Sequence, residues 1–260
     1  MSDLIHVETV GSGEPLVLVH GDFANGLMAW AKQIETLARV HRLVVVDRRG
    51  HGFSPRNPPY TIDRDAFDVL AAVDSVGAES FHLVGHSYGG MVAMAMARQN
   101  PSRVASLHVI EPPYMALLPD DPDVVDLTRR AGEVFRRAAE WGPERATTEF
   151  FRALVGAENL ASMQSRPAWS LLVRESERIA SAQFPGDYGA SLVQGFRLDV
   201  PVVIYTGERS HPGLRKIAAA LSQAIPGASL VDVPDAAHDV QRSVDAFNRA
   251  LLSVTQVQGA

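Results

Sequence analysis

The chain has no cysteine, no long apolar run and no block of basic residues, and each absence narrows its function. Without cysteine, neither disulfide bonds nor zinc sites built on thiolates are available. No window approaches the roughly 18 consecutive apolar residues that a membrane-spanning helix needs. The first residues also lack the basic and apolar regions of a signal peptide. We therefore expect a cytoplasmic protein without a membrane partner.

Positive charge is scarce as well, with 24 Lys and Arg against 30 Asp and Glu and a net charge of −6. Nucleic-acid binding depends on basic clusters that release counterions from phosphates, whereas basic residues here adjoin one another at most in pairs such as Arg48-Arg49. The composition thus argues against a nucleic-acid partner. What is present is 46% hydrophobic residues over 260 positions, enough for the core of a large domain.

Apolar strands alternate with amphipathic helices along most of the chain, a pattern typical of a mostly parallel sheet covered by helices on both faces. The predicted strands are residues 5–10, 16–20, 43–47, 81–84, 104–110, 200–205 and 229–233. The predicted helices between them are residues 27–39, 62–76 with Thr61 as N-cap, 88–99, 212–224 and 240–254. The sequence therefore predicts an α/β fold.

Strand signals are missing from residues 112–197, where helices are predicted over residues 123–140, 144–154, 167–180 and 188–196. An insertion of this length between two strands of one sheet has to lie outside the sheet and carry its own structure. We therefore predict a helical cap over residues 112–197, inserted into a core of residues 1–111 and 198–260.

The segment Gly85-His86-Ser87-Tyr88-Gly89 follows an apolar strand and precedes a helix. In this context Gly-x-Ser-x-Gly is a nucleophile elbow, in which a strained turn lifts the serine clear of the sheet and the glycines let neighbouring backbones pass. The following helix offers free N–H groups and the positive end of its dipole. Ser87 is the candidate nucleophile, and a chance Gly/Ser turn is the alternative. His86 is predicted to be structural and to point to the opposite side of the elbow.

Four motifs in this order resemble the α/β-hydrolase superfamily over nearly the whole chain outside the cap. They are His20-Gly21 after a strand, residues 47–54, the elbow, and His238 before the last helix. The resemblance implies that Ser87 attacks a carbonyl with a histidine as base and a carboxylate to orient it, without cofactor or metal. Because serine is a weak nucleophile, it needs such a base. Of the nine histidines in the chain, His238 stands where the family places this base.

The resemblance also implies an oxyanion hole formed by the backbone N–H groups of Asp22 and Tyr88. Asp22 is an unusual residue here, since many relatives carry an apolar one. A carboxylate beside an oxyanion is unfavourable unless its side chain turns away. This departure leads us to expect that anionic substrates are disfavoured.

The carboxylate that would orient the histidine does not follow the commonest family pattern, because Ser210 stands where most relatives carry an Asp. A second family solution places the acid at the end of the strand after the nucleophile helix, where this chain has Glu111. That placement resembles a subset that includes the zearalenone lactonases. Glu208 is a rival, and a solvated carboxylate at a strand end is the alternative interpretation of Glu111.

The predicted activity is hydrolysis of a small apolar carboxylic ester or lactone through an acyl-enzyme on Ser87. A carbon–carbon hydrolase or thioesterase is the alternative within hydrolysis, and a lyase or transferase on the same fold is the alternative outside it. Haloalkane and epoxide chemistry would need Asp in place of Ser87. We expect Trp141, Trp169 and Tyr188 of the cap to line the substrate pocket, because ligands bind preferentially between subdomains. Whether the protein forms a homodimer stays an open question.

Overall fold

The computed structural model describes residues 3–256 and confirms the α/β fold. The strands are β1 Val7–Val10, β2 Glu14–Val19, β3 His41–Val46, β4 Phe81–His86, β5 Val104–Ile110, β6 Val202–Gly207 and β7 Ser229–Val233. They form one sheet in the order β1-β3-β2-β4-β5-β6-β7. β1 pairs antiparallel with β3, and all other neighbouring strands are parallel. The carboxyl ends of six strands therefore lie at the same edge.

Helices cover both faces of this sheet, as the near-continuous apolar runs of its inner strands require. They are α1 Gly26–Leu37, α2 Ile62–Ser75, α3 Tyr88–Gln99, α4 Pro122–Gln164, α5 Trp169–Glu175, α6 Pro212–Ala224 and α7 Val244–Thr255. The core cluster on one face includes residues of α1 and α7, and the cluster on the other includes residues of α2, α3 and α6. Thr61 caps α2 as predicted, its side chain accepting from the backbone N–H of Arg64. Among the described residues, no helix combines the length and apolar character needed to cross a bilayer.

The segment between β5 and β6 is helical, but its helices differ from the predicted ones. The predicted helices 123–140 and 144–154 run together in α4, which bends at Gly142 and Gly156 with φ of 72° and 78°. Only glycine adopts such angles without strain, so these two residues set the bends. The predicted helix 167–180 divides into α5 and the 3₁₀ helix Ser176–Ser181, and the predicted helix 188–196 forms only the 3₁₀ turn Ala190–Leu192. We refer to residues 111–201 as the insertion.

Other 3₁₀ turns join the main elements. They are Pro101–Arg103, Met115–Leu117, Pro185–Asp187 and Val240–Arg242. The last of these takes the place of the first turn predicted for helix 240–254, so that α7 itself begins at Val244.

The turn between β4 and α3 brings three stretches of main chain into close contact. A Cβ atom on Gly89 would collide with the carbonyl oxygen of His20 and lie 2.5 Å from that of Val19. A Cβ atom on Gly85 would lie 2.7 Å from the carbonyl carbon of Gly89. Real Cβ atoms do not approach backbone atoms this closely, so glycine is required at both positions. Ser87 at the tip has φ of 53°, which an L-residue adopts only under strain.

We expect Gly89→Ala to destabilise the fold, because the added methyl group has to push β2 away from the start of α3. Overpacking of this kind costs roughly 1–3 kcal/mol. Chemical denaturation followed by circular dichroism measures the loss. Gly189→Ala is the matched control, since a Cβ there meets nothing within 4 Å and the residue has a φ of −66°. Equal midpoints for the two variants would contradict the packing described for the elbow.

Candidate active site

Three side chains predicted to act together lie at the carboxyl edge of the sheet. Ser87 directly follows β4, Glu111 directly follows β5, and His238 lies in the loop between β7 and α7. Ser87 and His238 line the same cavity, which has a volume of about 900 Å³. Ser87 is partly exposed to this cavity, whereas its neighbours in the chain are buried. Within residues 3–256, no group of three or more His, Asp or Glu side chains is arranged to hold a metal ion.

Glu111 is held in one orientation by three hydrogen bonds. Its Oε2 accepts from Nδ1 of His238 at 2.7 Å. Its Oε1 accepts from Oγ1 of Thr206 at 2.7 Å and from the backbone N–H of Gly207 at 2.9 Å. The residue is fully buried, with 0% of its surface exposed. The alternative of a solvated carboxylate is therefore wrong.

The pair of Glu111 and His238 is arranged to carry opposite charges. Burial, the largest single influence, raises the pKa of Glu111, but the hydrogen bond from His238, the charge of that ring and further hydrogen bonds together outweigh it, so the pKa lies below its usual value. Burial, again the largest single influence, lowers the pKa of His238, but the hydrogen bond to Glu111 and the negative charges of Glu111 and Asp239 together reverse the effect, so that this pKa lies above its usual value. The carboxylate therefore stabilises a protonated imidazole in the cavity that Ser87 also lines.

The rival carboxylate points elsewhere. Oε2 of Glu208 accepts from the backbone N–H of Asp235 at 3.2 Å. Ser210 is 7% exposed and lines the cavity, so the position where most relatives carry an acid faces the same space. Glu111 is the carboxylate that bonds to the His238 ring.

We expect Glu111→Gln to lower the pKa of His238 below its ordinary value, because the charge that raises it disappears while burial, which lowers it, stays. Titration of ¹⁵N-labelled histidine by NMR measures this change. Glu208→Gln is the control and should leave the titration of His238 in place. A pKa that moves in Glu208→Gln and not in Glu111→Gln would contradict the pairing.

The two residues predicted to form an oxyanion hole flank Ser87. Tyr88 is the first residue of α3, so the helix offers no carbonyl to receive its N–H group. On the other side, a Cβ on Gly21 would lie 3.0 Å from Cβ of Ser87, so the loop leading to Asp22 passes directly against the serine. Asp22 and Tyr88 both line the cavity.

The side chain of Asp22 turns away from Ser87 into a group of buried charges. Its Oδ1 accepts from Nη2 of Arg48 at 2.7 Å and lies 4.0 Å from Nε of Arg178. Burial raises the pKa of Asp22, but the two arginines and His51 hold it far below its usual value. Because this negative charge is balanced by arginines, the reason for expecting anionic substrates to be disfavoured is removed.

His86 does not point to the opposite side of the elbow, as the sequence suggested. It lines the cavity, its ring centroid lies 4.7 Å from that of His238, and its Nε2 donates to the backbone carbonyl of His238 at 3.1 Å. Burial and then the nearby His238 lower the pKa of His86 to about 4, so it is neutral at neutral pH. His86 thus supports the loop that carries His238.

Aromatic residues of the core and of the insertion meet on the cavity wall. Phe23 stacks on Phe150 with ring centroids 4.2 Å apart and meets the edge of Phe151 at 5.3 Å. Trp169 follows, 6.1 Å from Phe151, and its Nε1 donates to Glu144 at 2.8 Å. Of the three insertion residues predicted to line the pocket, Trp169 lies on its wall. Phe23 lies two residues after the His20-Gly21 motif, but the sequence gives no sign of where its ring points.

Trp141 and Tyr188 lie elsewhere, contrary to the expectation. The Trp141 ring lies between the guanidinium groups of Arg137 and Arg145, at 4.8 Å and 4.6 Å from its centroid. The hydroxyl of Tyr188 accepts from the backbone N–H of Ile62 at the start of α2. Neither residue is among those lining the cavity. Trp141 is held by the two cations and Tyr188 by the start of α2.

The fold and the grouping of Ser87, His238 and Glu111 at the strand ends define the class of α/β proteins that carry a nucleophile elbow. The chain belongs to the α/β-hydrolase fold family, whose sequence model matches residues 14–242. The resemblance inferred from the four motifs is thereby confirmed.

Individual relatives differ in how much of the chain they match. A Synechocystis protein provisionally named a non-heme chloroperoxidase is 29% identical over 270 residues, covering 97% of this chain and 95% of the relative. An Azorhizobium caulinodans protein provisionally named a carbamate hydrolase is 36% identical over 107 residues, which span 41% of this chain and 40% of that protein. Among solved structures, a thermophilic esterase from Thermogutta terrifontis matches with a TM-score of 0.75 and 25% identity, over 96% of this chain and 93% of its own.

Proposed function

We propose that the protein hydrolyses a carboxylic ester or lactone through an acyl-enzyme on Ser87, with His238 as base and Glu111 as the acid that orients it. The observation that carries this proposal is the 2.7 Å hydrogen bond from His238 Nδ1 to the buried Glu111, beside the strained Ser87 and in the same cavity. Catalytic serines are activated by such a base, itself oriented by a third group.

The proposed reaction proceeds in two halves. His238 Nε2 takes the proton of Ser87 Oγ as this oxygen attacks the substrate carbonyl, and the negative oxygen that forms is received by the backbone N–H groups of Asp22 and Tyr88. His238 then gives its proton to the departing alcohol oxygen, leaving the acyl group on Ser87. In the second half, His238 takes a proton from water, the hydroxide attacks the acyl group, and the acid leaves as Ser87 recovers its proton. Glu111 keeps Nδ1 protonated throughout, so that Nε2 faces the serine.

The cavity supports a bulky, largely apolar substrate. Its volume of about 900 Å³ is near the upper end of ordinary ligand pockets, and Phe23, Phe150 and Trp169 on its wall offer ring surfaces to an apolar group. The Thermogutta esterase supports ester hydrolysis. The position of Glu111 after β5 supports the likeness to the zearalenone lactonase subset. This likeness in turn supports a lactone, which is a cyclic ester, as the substrate.

We expect an alkyl fluorophosphonate to label Ser87 covalently and the enzyme to release acid from p-nitrophenyl esters or macrolactones. Intact mass before and after labelling, with peptide mapping, measures the first, and proton release measures the second. Ser87→Ala should not label and should lose at least about 10³-fold in kcat.

Outcomes of this experiment separate the alternatives. Labelling of Ser87 without acid release from any ester or lactone would favour a lyase or transferase. Acid release from thioesters or from activated carbon–carbon bonds alone would favour the corresponding hydrolase. An unlabelled wild-type protein, or a Ser87→Ala variant that still labels at one equivalent, would contradict Ser87 as nucleophile.

The wall residue Trp169 should contribute to substrate choice. We expect Trp169→Ala to lower kcat/KM for bulky aromatic esters by roughly 10-fold or more relative to acetate esters, since a lost ring contact of this size is worth about 1–3 kcal/mol. The comparison of kcat/KM over an ester series measures it. Trp141→Ala is the matched control, an indole of the same insertion that lies outside the cavity. If both variants change all esters in the same proportion, Trp169 does not select the substrate.

A further inference from the structure

The side chains of both proposed oxyanion residues, Asp22 and Tyr88, contact one buried group of charges. We call this group the arginine cluster and define it as Arg48, Asp65 and Arg178. None of the three side chains is more than 1% exposed. Such complete burial of two guanidinium groups is costly unless they are paired, so their partners are held firmly.

Arg48 connects the cluster to both oxyanion residues from the core. Its Nη2 donates to Asp22 at 2.7 Å, its Nη1 donates to Asp65 at 2.8 Å, and its Nε donates to the carbonyl of His20 at 2.8 Å. Its guanidinium carbon lies 4.6 Å from the centroid of the Tyr88 ring. The planar guanidinium group of Arg48 thus fixes the strand end before Asp22, the Asp22 carboxylate and the ring of Tyr88.

Arg178 makes the matching contacts from the insertion. Its Nη2 donates to Asp65 at 2.7 Å, and its Nε lies 4.0 Å from Asp22. Its guanidinium carbon is 5.3 Å from the centroid of the Tyr88 ring, so this ring lies near both arginines. Arg178 belongs to the 3₁₀ helix Ser176–Ser181, whereas Asp65 belongs to α2 of the core. Arg178 therefore joins the insertion to both oxyanion residues.

The cluster is balanced in charge. Two guanidinium groups face the carboxylates of Asp22 and Asp65, and His51 Nε2 lies 3.7 Å from Asp22. If Arg178 were neutral, an excess negative charge would stay on carboxylates next to the place where the oxyanion forms. Charges interact strongly at such a buried site, and this excess would oppose the negative charge of the transition state.

We propose that Arg178 is a positioning residue for the oxyanion hole. It balances the charge of Asp22, holds the backbone N–H groups of Asp22 and Tyr88 toward the substrate oxygen, and makes their placement depend on docking of the insertion onto the core. This inference rests on the proposed function, since it requires an oxyanion to form at Ser87.

The test is Arg178→Met in the full chain. We expect kcat to fall roughly 10- to 100-fold, less than or similar to the loss of one oxyanion donor, with KM changed less than about twofold because ground-state contacts are kept. Affinity for a boronic acid that bonds to Ser87 should fall in parallel with kcat. Arg174→Gln is the matched control, an arginine from α5 that pairs with Glu175 and is half exposed, and it should keep wild-type kcat.

A double variant separates charge from structure. Asp22→Asn combined with Arg178→Met removes the carboxylate that Arg178 balanced, so kcat should recover by at least about threefold over Arg178→Met alone, as expected for coupled neighbours. Asp22→Asn alone completes the double-mutant cycle with the wild type, Arg178→Met and the double variant. Thermal unfolding is followed for every variant. If Arg178→Met does not fold, Arg178→Lys replaces it. This variant keeps the charge but loses the two-pronged contact with Asp65, so a smaller fall in kcat at nearly unchanged KM is expected, and a wild-type kcat with wild-type boronic-acid affinity would overturn the positioning role.

Two results would overturn the inference. One is a folded Arg178→Met enzyme with wild-type kcat and wild-type boronic-acid affinity, and the other is a double variant no faster than the single one. Either result leaves the proposed function intact as long as the wild type labels at Ser87 and releases acid. A wild type that does neither would instead overturn the proposed function and this inference with it.

Discussion

The contact on which the rest of the site depends is the one between backbones at the elbow, where Gly85 and Gly89 leave no room for side chains. This contact sets the start of α3 against the end of β2, and Ser87 N–H also donates to the carbonyl of Ile110 at 2.8 Å. The turn is thereby tied to two neighbouring strands at once. The strain at Ser87, with φ of 53°, persists because these contacts leave the chain no relaxed alternative. The same strands then deliver Asp22 and Glu111 next to the serine.

The sequence was sufficient for the elements of the sheet, because short apolar runs and glycine-bounded turns are local signals. It also located Glu111, since the strand before it is strongly apolar and its end is marked by Pro112-Pro113. The directions of the side chains could not be predicted from the sequence. His86 faces His238 because of packing between residues distant in sequence. Trp141 contacts Arg137 and Arg145, each four residues away along α4, but the sequence gives no sign that its ring meets these cations and not the cavity. The bends in α4 were visible as Gly142 and Gly156, but the sequence gave no measure of the angle between the helical pieces.

The charged residues near the elbow show why an unusual residue is best judged with its partners. Asp22 taken alone suggests repulsion of negative charge at the active site. Arg48 and Arg178 face it in the fold, yet they lie 26 and 156 residues away along the chain, and no local pattern links the three. Asp22, Arg48 and Arg178 are therefore one electrostatic unit, and a substitution of any of them alone alters the charge that the other two present.

The bends of α4 separate one part of the cavity wall from the sheet. At Gly142 and Gly156 a Cβ atom would meet nothing within 4 Å, so both bends are free of neighbours. The piece between them, residues 143–155, carries Phe150 and Phe151, which contact the core through Phe23. This piece is bounded by two joints and touches the core by side chains. Because the two bends have room around them, the length and sequence of this piece can change without disturbing the packing of the sheet, and the part of the cavity wall formed by Phe150 and Phe151 would change with it.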